Sequence, residues 1–287
     1  MATAAAPDGF RPVHDAHAIE QLVATIQFDR PLPDDTIRAA NETMAQFQES
    51  LPGRSDIRGM GFQFGPGGLV PVMPAVAESP SGVLRSFTDG RGVVLKELRV
   101  DRQVMVFRTQ AYTRWDAVWA EAHRYFSALL PLIEAVNVAS FGLAYVDKFI
   151  WTGRPETCRS RDLFQAGSPY LAPRSLESQD LWHCHSGQFR IGDPSSKRLE
   201  VVDIDCVDEL AEMQGSSTQM QRVVRISTNI TDIFNQPGYE PRQISGSNAV
   251  LETARAFPML HEELKRVFSE IISYEAAAQV GLNNNDA

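Results

Sequence analysis

Three cysteines in 287 residues, Cys158, Cys184 and Cys206, are too few and too scattered for a disulfide framework. That usage suits a reducing compartment. No window approaches the roughly 18 uninterrupted apolar residues of a membrane span. The first residues, Met1-Ala-Thr-Ala-Ala-Ala-Pro-Asp, carry neither the basic nor the apolar region of an export signal. A cytoplasmic location is therefore expected. Excess positive charge is also lacking. Against 27 Lys and Arg stand 36 Asp and Glu, a net charge of −9 that disfavours non-specific binding to nucleic acid or to an anionic membrane. The glycine-rich run Gly59-Met-Gly-Phe-Gln-Phe-Gly-Pro-Gly-Gly has no P-loop lysine and no strand-then-helix context, so it reads as a hairpin turn. With no phosphate loop and no nucleophile signature, no cofactor is expected.

What is present is a repeated order of elements. Alternating, β-branched-rich segments lead into a long amphipathic helix, and this happens twice. In the first pass Ile19–Phe28 alternates as a strand, and Ile37, Ala40, Met44 and Phe47 then recur at helical spacing. Short strands follow over 83–87, 93–100 and 104–111. A helix from Trp115 carries the stripe Val118, Trp119, Ala122, Phe126, Leu129 and Leu130, with Thr113 and Asp116 spaced as a capping box and Pro131 set to end it. In the second pass Val138–Trp151 is one long alternating strand. Strands over 181–191, 199–207 and 222–234 come next, and a last helix carries Leu260, Leu264, Val267, Phe268 and Ile271, with Pro258 placed to interrupt its start.

An α+β fold is therefore expected, with antiparallel sheets each covered by a helix. Two layouts satisfy the pattern: two helix-grip-like halves, or one merged sheet covered by both helices. The domain plan reads as a flexible arm over 1–15, halves over 16–135 and 136–278, and a disordered tail over 279–287. Residues 152–179 are the longest stretch without periodicity, broken by Pro155, Pro169 and Pro173.

Two residue groups invite chemistry. On a strand His183 and His185 share one face, and a hairpin centred near Ser195 brings Asp203 and Asp205 onto that same face. Two imidazoles and two carboxylates there could hold Zn²⁺, Mn²⁺ or Fe²⁺. A one-residue slip would substitute Ile204 and Cys206, and the plainer reading is a polar sheet end. Arg154, Arg159, Arg161 and Arg174 crowd the 152–179 stretch and could grip an acidic partner, against the plainer reading of a solvated loop. The cysteines read as small buried residues rather than nucleophiles.

Three stretches, Phe107-Arg-Thr-Gln-Ala-Tyr-Thr-Arg-Trp115, Leu199-Glu-Val-Val-Asp-Ile-Asp205 and Leu260-His-Glu-Glu-Leu-Lys-Arg-Val-Phe268, join an early strand ending in Ile26-Gln-Phe28. Together they resemble a sporadically distributed family of uncharacterised prokaryotic conserved hypothetical proteins. The resemblance spans nearly the whole chain and transfers no catalytic residue; His183 and His185 lie outside its pattern. Its patchy distribution implies mobile-element, defence or toxin–antitoxin loci. The functional expectation is a non-enzymatic binding or regulatory protein acting through a protein partner. The alternatives are a small-molecule binder with an apolar pocket between sheet and helix, placed between the 93–111 strands and the Trp115 helix, and a metal-dependent enzyme using His183, His185, Asp203 and Asp205.

Overall fold

The computed structural model describes residues 8–57, 61–65, 68–72, 81–193, 195–212 and 218–282. Strand β1 (Phe10–Pro12) precedes the first half, which supplies β2 (Ile19–Phe28), β3 (Gly53–Ile57), β6 (Gly82–Thr88), β7 (Val94–Asp101) and β8 (Val104–Thr109); β4 (Gly61–Gly65) and β5 (Gly68–Val72) form a separate hairpin. From the second half come β9 (Val138–Trp151), β10 (Trp182–Asp193), β11 (Ser196–Glu212) and β12 (Thr218–Phe234). The helices are α1 (Asp34–Met44), α2 (Trp115–Leu129), α3 (Pro173–Glu177), α4 (Gly246–Ser269) and α5 (Tyr274–Gln279).

Of the two expected layouts, the strands adopt the merged one. They form a single ten-stranded antiparallel sheet in the order β10-β11-β12-β9-β2-β8-β7-β6-β3, with β1 beside β9. The seam is β2 against β9, where Leu22, Ala24 and Ile26 lie opposite Tyr145, Leu143 and Phe141. All six side chains are buried on one face, so a one-residue slip would turn the apolar set of both strands to solvent. That shared phase fuses the halves. Phe10–Pro12, within the stretch read as an arm, pairs with Phe149–Trp151, and Phe10 stacks edge-on against Trp151. Met60, Pro66, Gly67 and the tail beyond Leu282 lie outside the described residues.

The helices cover the buried face. α4 lies over β9 and β12, with Phe257 against Phe141 at 5.7 Å and Phe268 against Phe149 at 6.4 Å between ring centres. α2 packs on α4 through Trp119 and Phe257 (4.8 Å) and on β8 through Tyr125 and Phe107 (5.7 Å). Phe47, just after α1, closes on Tyr125 at 4.6 Å. Aromatic rings thus pack the side of α2 that faces β8 and α1. Arg114 rather than Thr113 occupies the α2 cap position, with no side-chain cap bond, so the capping box does not form. Pro131 does end α2, which tightens into a 3₁₀ turn over Leu130–Leu132. Pro258, by contrast, sits inside a continuous α4. Buried Phe257 and Leu260 on either side of it hold the helix together although the bond to the Ala254 carbonyl is missing.

Residues 152–179 are a folded strap, not an irregular loop. They contain 3₁₀ turns at Pro155–Thr157 and Ser160–Asp162, then α3. Leu163, Phe164, Tyr170 and Leu171 are buried. The strap ties to the end of α4 through Gln165 N–H to the Ile271 carbonyl (2.9 Å) and Ser273 N–H to the Leu163 carbonyl (2.8 Å). Its apolar residues anchor it singly, between prolines, so they leave no period for sequence reading to detect. Among the described residues no helix is long and apolar enough to cross a membrane.

Candidate functional site

The alternation of β9 sends Tyr145, Asp147 and Phe149 to the helix-covered face and Val146 and Lys148 to the open one. Asp147 is only 4 % exposed. Ile19 and Ile226 are its cross-strand neighbours, and among the described residues no donor or cation bonds its carboxylate. Burial alone therefore pushes this carboxyl up to about 8. A second buried carboxylate on the same face shows the contrast. Glu200, 2 % exposed, accepts from the Tyr170 hydroxyl (2.8 Å) and Gln188 Nε2 (2.6 Å), with Arg190 and Arg266 each at 3.5 Å.

Around Asp147 the polar groups are linked to one another rather than to it. The Tyr145 hydroxyl and His261 Nδ1, on α4, are 2.9 Å apart. His261 stacks on Trp115 at 4.2 Å and 10°, and Trp115 stacks in turn on Trp119. Burial holds the imidazole neutral, its pKa pulled down to about 4. The rings of Tyr112 and Tyr145 meet edge-on at 6.0 Å, and burial raises both phenols, Tyr112 to about 12. His17, in the bend before β2, meets the Tyr112 ring edge-on at 5.2 Å. Burial, and then His14, lower its pKa, and its Nδ1 is buried without a partner.

These side chains border a cavity of about 80 Å³ between the sheet, α4 and the end of the chain after α5. His17, Tyr145, Asp147, Thr228, His261 and Lys265 supply its polar lining, and Ile19, Leu264, Phe268, Val280 and Leu282 its apolar one. Lys265 is the cation of that lining, yet its Nζ bonds Glu262 at 3.2 Å rather than Asp147. The pocket thus pairs a buried, uncompensated carboxyl with rings and a neutral imidazole.

The residues singled out from sequence lie elsewhere. His183 pairs with Asp205 and His185 with Asp203 across β10 and β11, in the expected phase. His183 Nδ1 is 2.7 Å from Asp205, and His185 bonds Asp203 in the same manner. Both pairs sit on the open face, each imidazole more than half exposed. They form two separate imidazole–carboxylate pairs, and among the described residues no group of three or more His, Cys, Asp or Glu is placed to hold a metal. Arg154, Arg159, Arg161 and Arg174 are all exposed on the strap, with Arg159 held by Asp162 at 3.2 Å. Cys158 and Cys206 are buried neighbours. Their mutual interaction and the nearby Arg222 pull Cys206 down, while that interaction and burial push Cys158 up.

Asp147, Tyr145 and His261 were not singled out by the sequence reading. One signal was there: in Tyr145-Val-Asp147-Lys-Phe149 the aspartate keeps phase with the aromatic residues, and the lysine does not. The chain matches no protein-family model and no curated protein.

Proposed function

We propose that this protein is a non-enzymatic binding protein whose ligand enters the cavity between β9, β12 and α4. The observation that carries this reading is Asp147. A carboxyl buried without partners weakens the fold, and such a group on a cavity wall is a functional-site signature. Pockets that engulf a drug-sized ligand hold roughly 300–1,000 Å³. At about 80 Å³ this one takes an end group of a few heavy atoms, leaving the rest of the ligand outside. The small size also speaks against a reaction chamber for two substrates.

The test is occupancy. Thr228, 1 % exposed and on the cavity wall, offers a position where Met would fill the space. Ligand-observed NMR with a fragment collection should find binders to the wild type that the folded Thr228→Met variant no longer binds. Binders indifferent to Thr228→Met would end the pocket reading.

A second reading, recognition of an acidic protein partner by Arg154, Arg159, Arg161 and Arg174, is favoured by the exposure of all four on a strap tied to the end of α4. A pull-down in which Arg154, Arg161 and Arg174 are changed to Glu separates it from the first. Loss of partner with fragment binding intact assigns recognition to the strap.

A further inference from the structure

Resting on the pocket reading, we infer that the group entering this cavity is a primary ammonium, bound by Asp147. Two observations converge. The Asp147 carboxyl is sequestered with no cation or donor of the described chain on it, unlike Glu200 with its four partners. An ammonium supplies the missing charge and hydrogen-bond donors together, and a charge-assisted bond of this kind is roughly twice as strong as a neutral one. Space fits as well: a cavity of about 80 Å³ admits a –CH₂–NH₃⁺ end group.

The chain's own lysine is the rival occupant. Lys265 borders the cavity, but its ammonium is committed to Glu262. The other titratable groups near Asp147 are His17 from the bend before β2, Tyr145 from β9 with Tyr112 behind it, and His261 from α4. His261 and the two phenols are uncharged near neutral pH, so none of them neutralises the carboxylate. Asp147 holds its proton until about pH 8 in the empty protein. Binding R–NH₃⁺ therefore sends that proton to the buffer and leaves an ion pair in the cavity. Affinity should rise as pH rises from about 6 to about 8.

The experiment titrates wild type, Asp147→Asn, Thr228→Met and Lys265→Met with 1-butylamine, 1-butanol and butyrate, by calorimetry in two buffers of different ionisation enthalpy. The expected result is binding of butylamine with proton release, weakened at least about tenfold in Asp147→Asn and abolished in Thr228→Met, with Lys265→Met binding as well as wild type or better. If butanol or butyrate binds as well as butylamine and Thr228→Met abolishes it, the ammonium assignment is overturned and the pocket survives. If butylamine binds only to Lys265→Met, the carboxyl serves the chain's own lysine and the assignment is likewise overturned. If no probe binds any of the four proteins, and fragment binding is also indifferent to Thr228→Met, the pocket reading itself fails.

Discussion

Asp147 and Lys148 are adjacent in sequence and lie on opposite faces of the sheet. The lysine ammonium reaches Glu209 at 2.9 Å and Glu20 at 3.4 Å on the open face, where Arg225 completes a network with the same two glutamates. The aspartate faces the helices and meets no cation among the described residues. Neighbouring opposite charges on a strand therefore give no compensation here. The pleat separates them, and the buried one bears the full desolvation cost.

The first prediction follows from that cost. The folded carboxyl titrates near 8 against an ordinary value of 3.8, so between about pH 4 and pH 8 the unfolded chain releases a proton that the folded chain keeps. Stability must fall as pH rises through this window, by on the order of 5 kcal/mol at its upper end. Asp147→Asn removes the titration. Urea unfolding of wild type and Asp147→Asn should show the variant more stable at pH 8 and the two converging toward pH 4. A variant less stable than wild type at pH 8 would show that Asp147 has an internal counter-charge.

His261 acts in the opposite sense. Its imidazole stays neutral in the fold down to about pH 4, whereas the unfolded chain takes up a proton below about 6.5. Stability is lost as pH falls through that interval, by on the order of 3 kcal/mol. His261→Phe keeps a ring on Trp115 and removes the titrating imidazole. The variant's acid limb should lie at lower pH than that of wild type, as read by circular dichroism. Because the Asp147 and His261 effects oppose each other between about pH 4 and 6.5, wild type should be flatter there than either single variant.

Much of this architecture was legible in the chain. Strands such as Ile19–Phe28 and Val138–Trp151 alternate cleanly because one face is buried and the other open, and each falls at its expected bounds. The seam between the halves was not legible, since long-range pairing of Leu22 with Tyr145 depends on matching phases rather than on any local signal. The strap failed for a related reason: Leu163, Phe164 and Tyr170 are anchored by tertiary contacts, not by period. The histidine–aspartate pairs were placed in correct phase by the Asp193–Ser196 turn alone. Asp147 could have been found by parity along β9, but His261 could not, because α4 brings it from 114 residues away in sequence.

A core prediction tests the packing that holds the cavity wall. Phe257, fully buried, touches Trp119, Phe126 and Phe141, joining α2, α4 and the sheet at one point. Phe257→Ala should cost about 3–5 kcal/mol, the usual range for emptying an aromatic core site. Met259, one residue past Pro258 and 60 % exposed, is the control, and Met259→Ala should change stability by no more than about 0.5 kcal/mol. Comparable losses in the two variants would mean that α4 is rotated from the orientation described.

The last prediction concerns the open face. Each of His183 and His185 has a carboxylate partner directly across the hairpin, and both pairs are solvent-exposed. Exposed pairs typically contribute about 0–1 kcal/mol, so the double change His183→Ala/His185→Ala should lower stability by no more than about 1–2 kcal/mol in total. A bound divalent ion would make the loss far larger and dependent on chelator, because a metal that binds only the folded chain adds its binding energy to stability. The check is thermal unfolding of untagged wild type and double variant with and without EDTA, alongside elemental analysis. Equal, chelator-independent curves with a small offset are expected. Stoichiometric zinc, manganese or iron in the wild type, lost with the two histidines, would return the site to His183, His185, Asp203 and Asp205, with the separate pairs drawn together around the ion.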